Sequence, residues 1–183
     1  MNFFLIPAFL MTNLIAIYNS SDVITWDAKY ALRNSDFKMS PPPSQTTNIK
    51  ARGCFRIETD YDIAEGFFRF KTRALFYKDS SWISDSSALL THIQNQFNLH
   101  EIYARIIRKE LTSLKLKTAN IDDYINSKIR SVLAKFNTEA RRFDLESLNG
   151  DNQEYEKKWE QYIKRELEDL NDYSSQEDRF VNF

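Results

Sequence analysis

The chain has 183 residues, of which 42% are hydrophobic and 28% are charged, a size and composition that suit one globular domain. Its 25 basic and 26 acidic residues give a formal net charge of -1, so no excess of positive charge indicates nucleic-acid binding. The single cysteine, Cys54, excludes an internal disulfide and a cysteine-based zinc cluster, and we expect it to be a small buried hydrophobic side chain.

The N-terminus, residues 1–20, begins with the apolar stretch MNFFLIPAFLMTNLIAIY. This stretch is shorter and more interrupted than the roughly 20 apolar residues of a membrane span, and it is similar to the apolar region of a secretory signal. No Lys or Arg precedes it, and the bulky Tyr18 stands where a cleavage site has a small residue. We predict export, with a packed N-terminal segment as the alternative.

The next part of the chain has strand patterns. The stretch VITWDAKYALRNSDFKMSPPPSQT is predicted to begin as a short strand and to pass into a loop, in which the three prolines at 41–43 end any regular element. In GFFRFKTRALFYKD, apolar and basic residues alternate with the period of a half-buried strand. The preceding stretch, NIKARGCFRIETDYDI, is predicted to be its hairpin partner, with the turn at residues 64–66. We interpret the basic side chains as a solvated sheet face, and a ligand groove there is the alternative.

From about Ser86 the hydrophobic period changes to that of a helix. A first helix of about 28 residues is predicted to bury one stripe, formed by Leu89, Ile93, Phe97, His100, Ala104, Ile107, Leu111 and Leu114. A second is expected to start at Asn120 as N-cap and to bury Ile121, Ile125, Ile129, Val132, Leu133 and Phe136. A third follows Asn149-Gly150, with Asp151 and Glu154 spaced as a capping box. The domain is predicted to span residues 21–173, followed by a loose tail at 174–183.

Three patches, in chain order, resemble a bacterial, mostly exported family of zinc-dependent proteases, a domain of unknown function with an H-E-Q-x-H-F-D motif. The first is ITWDAKYALRNSDFKMSPPPS, the second is HIQNQFNLHEIYAR from His92 to Arg105, and the third is LNGDNQEYEKKW. In the second patch His92 matches the first motif His and Gln94 the motif Gln. Further matches to the motif are Phe97, Glu101 and Arg105.

The positions that carry the chemistry of such a protease do not match. A zinc-binding helix needs two imidazoles at i and i+4 and a glutamate that polarises the bound water. Here Ile93 stands at the general-base position and Gln96 at the second ligand position. In the third patch, Asn149 stands where the family has a histidine that is a plausible third ligand. We therefore predict no catalytic residue and no metal-binding residue.

His100 cannot complete a zinc site with His92, because the two residues lie about 12 Å apart along a helix whereas ligands of one zinc lie within about 4 Å. His92 is interpreted as a hydrogen-bonded remnant of the zinc-binding motif. Glu101 and Arg105 are interpreted as an ion pair within the helix. We further predict that His92, Gln96 and Asn149 lie close together and are linked by hydrogen bonds at the mouth of a groove.

The sequence thus predicts an α+β domain in which a small antiparallel sheet packs on a long former active-site helix and two further helices, and the resemblance implies a zincin-like arrangement. The predicted function is that of a pseudoprotease, exported to the periplasm or cell envelope, that binds a protein or peptide without a cofactor. It is expected to bind no nucleic acid and to touch no membrane beyond the N-terminal segment. Two alternatives remain: a peptidase or hydrolase with zinc held by His92, Gln96 and a distant carboxylate, and a structural helical interaction protein.

Overall fold

The computed structural model describes residues 22–43, 50–64, 66–84, 87–115 and 120–182. The predicted signal segment at 1–20 lies outside this part of the chain. Three long helices account for most of the regular secondary structure in the described residues: α1 at Ser87–Thr112, α2 at Ile121–Ser147 and α3 at Gln153–Asp169. None of the described helices is both long and apolar enough to cross a bilayer.

In the described residues, six short or medium strands form two antiparallel sheets, so the predicted α+β class is confirmed. The strands are β1 at Val23–Thr25, β2 at Ala51–Arg52, β3 at Phe55–Ala64, β4 at Phe67–Tyr77, β5 at Trp82–Ile83 and β6 at Arg179–Asn182. In the larger sheet β4 pairs with β3 along one side, and with β6 and β1 at different points of its other side. A separate two-stranded ribbon pairs β2 with β5.

The hairpin between β3 and β4 forms where the alternation predicts it, with Ala64 opposite Phe67 and Gly66 at a φ of 80°. Glycine adopts this left-handed conformation without steric cost, which makes the turn possible. Phe68, Phe70 and Phe76 are fully buried, whereas the intervening basic residues are at least partly exposed. The predicted partner strand is interrupted, however, because Gly53 and Cys54 separate β2 from β3.

Helix α1 lies against the sheet along its predicted stripe. All of the stripe except His100 is at most 8% exposed, and the buried side chains join cores on both sides of the helix. Three buried charged residues of α1, Glu101, Arg105 and Arg108, form a hydrogen-bonded network. Glu101, which is 0% exposed, accepts hydrogen bonds from Arg105 at 3.0 Å and from Arg108 at 2.9 Å.

Arg108 is the residue that connects α1 to the sheet. It is 1% exposed and donates two hydrogen bonds to the Thr72 carbonyl in β4 at 2.8 and 3.0 Å. A further bond reaches the Tyr173 carbonyl, in the 3-10 turn after α3, at 2.8 Å. The predicted ion pair between Glu101 and Arg105 is therefore present, but it belongs to a larger buried network that the sequence did not reveal.

Several local predictions are wrong. Residues 174–183 are not a loose tail throughout, because Phe180 and Val181 lie in β6, which pairs with β4. Cys54 is only half-buried. Asn120 does precede α2, but it is left-handed and its side chain makes no capping bond. The cap of α3 is Asn152 rather than Asp151, since the Asn152 side chain accepts a hydrogen bond from the Tyr155 amide.

Candidate functional site

The site is built where three helix segments meet at His92. This residue lies in the second turn of α1 and is 3% exposed. The end of α2 supplies Asp144 and Ser147, and the first turn of α3 supplies Glu156. The ring of Phe143 stacks on the imidazole, with centroids 4.7 Å apart.

Both imidazole nitrogens of His92 face carboxylates. Nδ1 lies 2.5 Å from Glu156 Oε1, and Nε2 lies 3.5 Å from Asp144 Oδ1. Glu156 is itself 3% exposed and accepts a second hydrogen bond from Asn95 at 3.0 Å. Asp144 also accepts a bond of 2.9 Å from Gln96. Because the two carboxylates lie at opposite nitrogens, His92 is enclosed by negative charge on both sides.

This environment changes the pKa of His92. Burial on its own would lower the pKa, but the hydrogen bonds to Asp144 and Glu156 and their negative charges outweigh it and raise the pKa from 6.5 to about 8. The imidazolium form is thus favoured near neutral pH, and in that form both nitrogens donate. A protonated His92 has no lone pair left for a metal ion.

The raised pKa makes the contribution of His92 to the stability of the fold depend on pH. Since the folded-state pKa lies above the unfolded value, the contribution of His92 is full below about pH 6.5 and is lost as the pH rises through about 8. We expect the difference in unfolding free energy between the wild type and His92→Gln to shrink by about 2 kcal/mol between pH 6 and pH 9. Urea unfolding of both proteins at the two pH values measures this difference. The titration of His100 contributes equally to both proteins and does not change the difference. A constant difference would contradict the ion-paired imidazolium.

His100 has a different environment from His92. Its Nδ1 donates to the Gln96 carbonyl at 2.7 Å, and its ring contacts Phe55 and Phe136 at 4.8 and 4.5 Å. Burial lowers its pKa to about 4, so it is neutral at physiological pH. His100 therefore belongs to the packing of α1, as predicted.

The loop from α2 to α3 brings the third sequence patch to His92. Leu148, Asn149 and Gly150 all have left-handed backbone, with φ values of 51°, 53° and 93°. A Cβ atom on Gly150 would lie 3.0 Å from the Cβ of His92, closer than side chains normally approach, so position 150 requires glycine for space and for conformation. Asn149 and His92 line the same groove, as predicted.

The predicted hydrogen bonds among His92, Gln96 and Asn149 are not those that form. Within the described residues, the His92 ring bonds to Glu156 and Asp144, and Gln96 reaches it only through Asp144. Neither carboxylate is predicted from the sequence. One signal was present, because Glu156 stands three residues before Trp159 at the head of the apolar stripe of α3, where a solvated residue is not expected.

Ile93, at the general-base position of the resemblance, packs in the core. It is 2% exposed and belongs to the cluster that includes Trp26, Phe76 and Phe97. Among the described residues, no three His, Cys, Asp or Glu side chains are placed to hold a metal ion. The prediction of a protein without a cofactor stays a prediction.

The first sequence patch is held to α1 next to this site. The Leu32 amide donates to the Gln94 side chain at 2.8 Å, and the Trp26 indole donates to Asn98 at 2.9 Å. Gln94 in turn donates to Asn98 at 2.9 Å. The second patch is part of α1, and the first and third patches contact this helix on opposite sides.

Two cavities lie on these two sides. The one beside His92, which we call the His92 groove, has a volume of about 850 Å³. Its floor includes Ile93 and Trp82, and its rim includes the exposed apolar side chains of Met39 and Leu148. The other cavity, of about 940 Å³, lies between residues 26–32, α1 and α3 and carries charges of both signs on its walls.

Comparisons of the chain with protein-family models, with curated proteins and with solved structures find no match.

Proposed function

We propose that this protein is a protease-like domain without peptidase chemistry that binds a protein segment or peptide in the His92 groove. The proposal rests on the surroundings of three motif residues in the site, His92, Ile93 and Gln96. His92 is buried between two carboxylates, Ile93 is part of the core, and Gln96 is bonded to Asp144. None of these side chains is available as a general base for water in the groove.

The shape and chemistry of the groove support an apolar peptide as the occupant. Leu148 is 60% exposed and Met39 is 43% exposed, and both line the groove. Large exposed apolar side chains at the rim of a cavity are typical of sites that bind proteins or ligands. Leu148 is also held in a left-handed conformation, which costs a non-glycine residue about 1 kcal/mol or more.

The first experiment asks whether the chain is an enzyme. The full chain, purified without a histidine tag, would be assayed for bound metal by mass spectrometry and for cleavage of a mixed peptide library with added zinc. We expect less than stoichiometric zinc and no cleavage. Stoichiometric zinc together with cleavage would overturn the non-catalytic proposal and favour the zinc-dependent alternative, with Asp144 as the distant carboxylate.

The second experiment tests the groove. Nonapeptides selected on the wild-type protein from a random phage-displayed library would be measured against Leu148→Gly. Glycine relieves the left-handed strain, so the free energy of unfolding should rise by about 1 kcal/mol, while the lost rim contact should weaken peptide binding by about tenfold. Stability and binding would then change in opposite directions, which general damage to the fold cannot produce.

A matched control is Leu145→Ala, because Leu145 is 65% exposed one turn before Leu148 and does not line the groove. This variant should bind the selected peptides as the wild type does. Equal binding by Leu148→Gly and the wild type would show that the rim is not a contact surface, and a library from which no peptide is selected would contradict peptide binding in the groove.

A further inference from the structure

One long strand of the larger sheet has a free edge. β3 runs over Phe55–Ala64, and β4 is the only strand that pairs with it in the part of the chain that the structure describes. Such an edge presents a row of backbone N–H and C=O groups that can pair with another extended chain. This surface is distinct from the His92 groove and does not depend on the function proposed above.

The register determines which backbone groups face outward. The Tyr77 amide donates to the Cys54 carbonyl at 2.9 Å, so these opposite residues occupy a hydrogen-bonding position of the ladder, with the Cys54 amide donating to Ser81 Oγ instead. Such pairs recur at every second position of an antiparallel ladder. The backbone groups of Arg56, Glu58, Asp60 and Asp62 therefore bond to β4. Those of Ile57, Thr59, Tyr61 and Ile63 point to the free edge.

The outer face of this edge is acidic and ordered. Glu58, Asp60 and Asp62 stand opposite Arg73, Lys71 and Arg69 of β4. Two ion pairs connect the strands, Asp60 with Arg73 at 2.9 Å and Asp62 with Arg69 at 3.6 Å. The carboxylates of Asp60 and Asp62 remain open to solvent on the other side, since they are 70% and 58% exposed. Glu58 is half-buried and accepts a hydrogen bond of 2.5 Å from the Tyr77 hydroxyl.

We propose that the free edge of β3 adds an extended segment of a partner protein that carries Lys or Arg at every second position. Its backbone would pair with the outward-facing groups of β3. Its basic side chains would stand directly opposite the three carboxylates, in the closer, non-hydrogen-bonded pairs of the new ladder. Asp60 and Asp62 would then each lie between a basic residue of β4 and one of the partner, and Glu58 would face the third basic residue of the partner.

The same charges exclude a second copy of this strand. If two β3 strands paired antiparallel over their whole length, Glu58 would stand opposite Asp60 in one possible register and opposite Asp62 in the other. Like charges directly opposite each other are unfavourable. The segments of this chain outside the description are also poor matches. Residues 1–21 and 44–49 contain no Lys or Arg, and residues 116–119 contain Lys117 alone.

Residue-resolved amide hydrogen exchange on the full chain tests the edge. In the free protein, the amides of Ile57, Thr59, Tyr61 and Ile63 should exchange fast and those of the alternate residues slowly. A seven-residue probe peptide with lysine at alternate positions and threonine or valine between them should slow the fast set by about tenfold or more. The same peptide with glutamate in place of lysine should leave the fast set unchanged.

Backbone methylation of the probe separates strand addition from simple charge attraction. Methylating the amides that face β3 should abolish binding, whereas methylating the other alternate set should leave it within about twofold. Equal effects of the two sets would overturn the proposal. Protection of the fast-set amides in the free protein would also overturn the proposal, because another segment of this chain would then pair with the edge. If this protection rises with protein concentration, a second copy of the chain pairs with the edge.

The charge requirement is tested with two variants of equal net-charge change. Asp60→Lys with Asp62→Lys should weaken probe binding by about tenfold or more, and the glutamate peptide should then bind instead. Glu154→Lys with Asp169→Lys, on the exposed side of α3, should bind the lysine probe almost as the wild type does. A similar loss in both variants would reduce the interaction to non-specific attraction and overturn the edge site.

Discussion

Replacing Arg108 with methionine is expected to lower the free energy of unfolding by about 3 to 5 kcal/mol. The guanidinium is 1% exposed and bonds to Glu101, to the Thr72 carbonyl and to the Tyr173 carbonyl. Methionine replaces the apolar stem of the arginine, ends short of the guanidinium and has no donor. The substitution would therefore leave a fully buried carboxylate with Arg105 as its remaining charged partner and two buried carbonyls with fewer donors.

The loss should come from the unpaired groups rather than from the missing attraction between the charges. The double variant Glu101→Met with Arg108→Met removes both charges, so it should recover a large part of the stability lost in Arg108→Met. Urea unfolding of the two single variants and the double variant forms a complete cycle. A double variant as unstable as the sum of the single variants would show that the two side chains act independently.

An exposed ion pair provides the contrast. Lys158 bonds to Glu154 at 2.7 Å, but the two side chains are 57% and 75% exposed. Lys158→Met should leave the free energy of unfolding nearly unchanged, because solvent screens such a pair. An equally small loss for Arg108→Met would mean that water reaches the buried network.

The elements that sequence could predict are those governed by local periodicity. The apolar stripe from Leu89 to Leu111 specified α1, and the alternation around Phe68 and Phe70 specified β4, because each pattern repeats often enough to exceed chance. Short elements lack that repetition. β6 has only four residues, Arg179–Asn182, and it forms because β4 offers it an unpaired edge, which no local pattern records.

The candidate site was only half predictable for a similar reason. His92 and the Asn149-Gly150 patch were identified from the resemblance, and the groove contains both. Glu156 and Asp144 are 64 and 52 positions from His92, and only the packing of three helices brings them to the imidazole. Carboxylates on helices are usually solvated, so composition favoured the wrong interpretation for these two.

Restoring the glutamate of the resembling motif, by Ile93→Glu, should destabilise the protein rather than create an active site. Ile93 is 2% exposed, and a Cβ on Gly53 would lie 3.1 Å from its Cγ2, so the backbone of residue 53 covers the side chain closely. Because Ile93 is almost fully buried at the floor of the groove, a carboxylate at this position would lose most of its hydration, displace that backbone or become neutral.

We expect a loss of about 3 kcal/mol in the free energy of unfolding, measured by urea titration near neutral pH, and no peptide cleavage with added zinc. The matched control is Thr91→Glu, which adds the same carboxylate two residues away on an exposed position of α1 and should change stability by less than about 1 kcal/mol. The loss in Ile93→Glu should also diminish as the pH falls through the raised pKa of the buried carboxyl, because protonation removes the charge. An unchanged melting temperature would instead show that position 93 opens to a wet cleft, and it would restore the case for a zinc-dependent hydrolase.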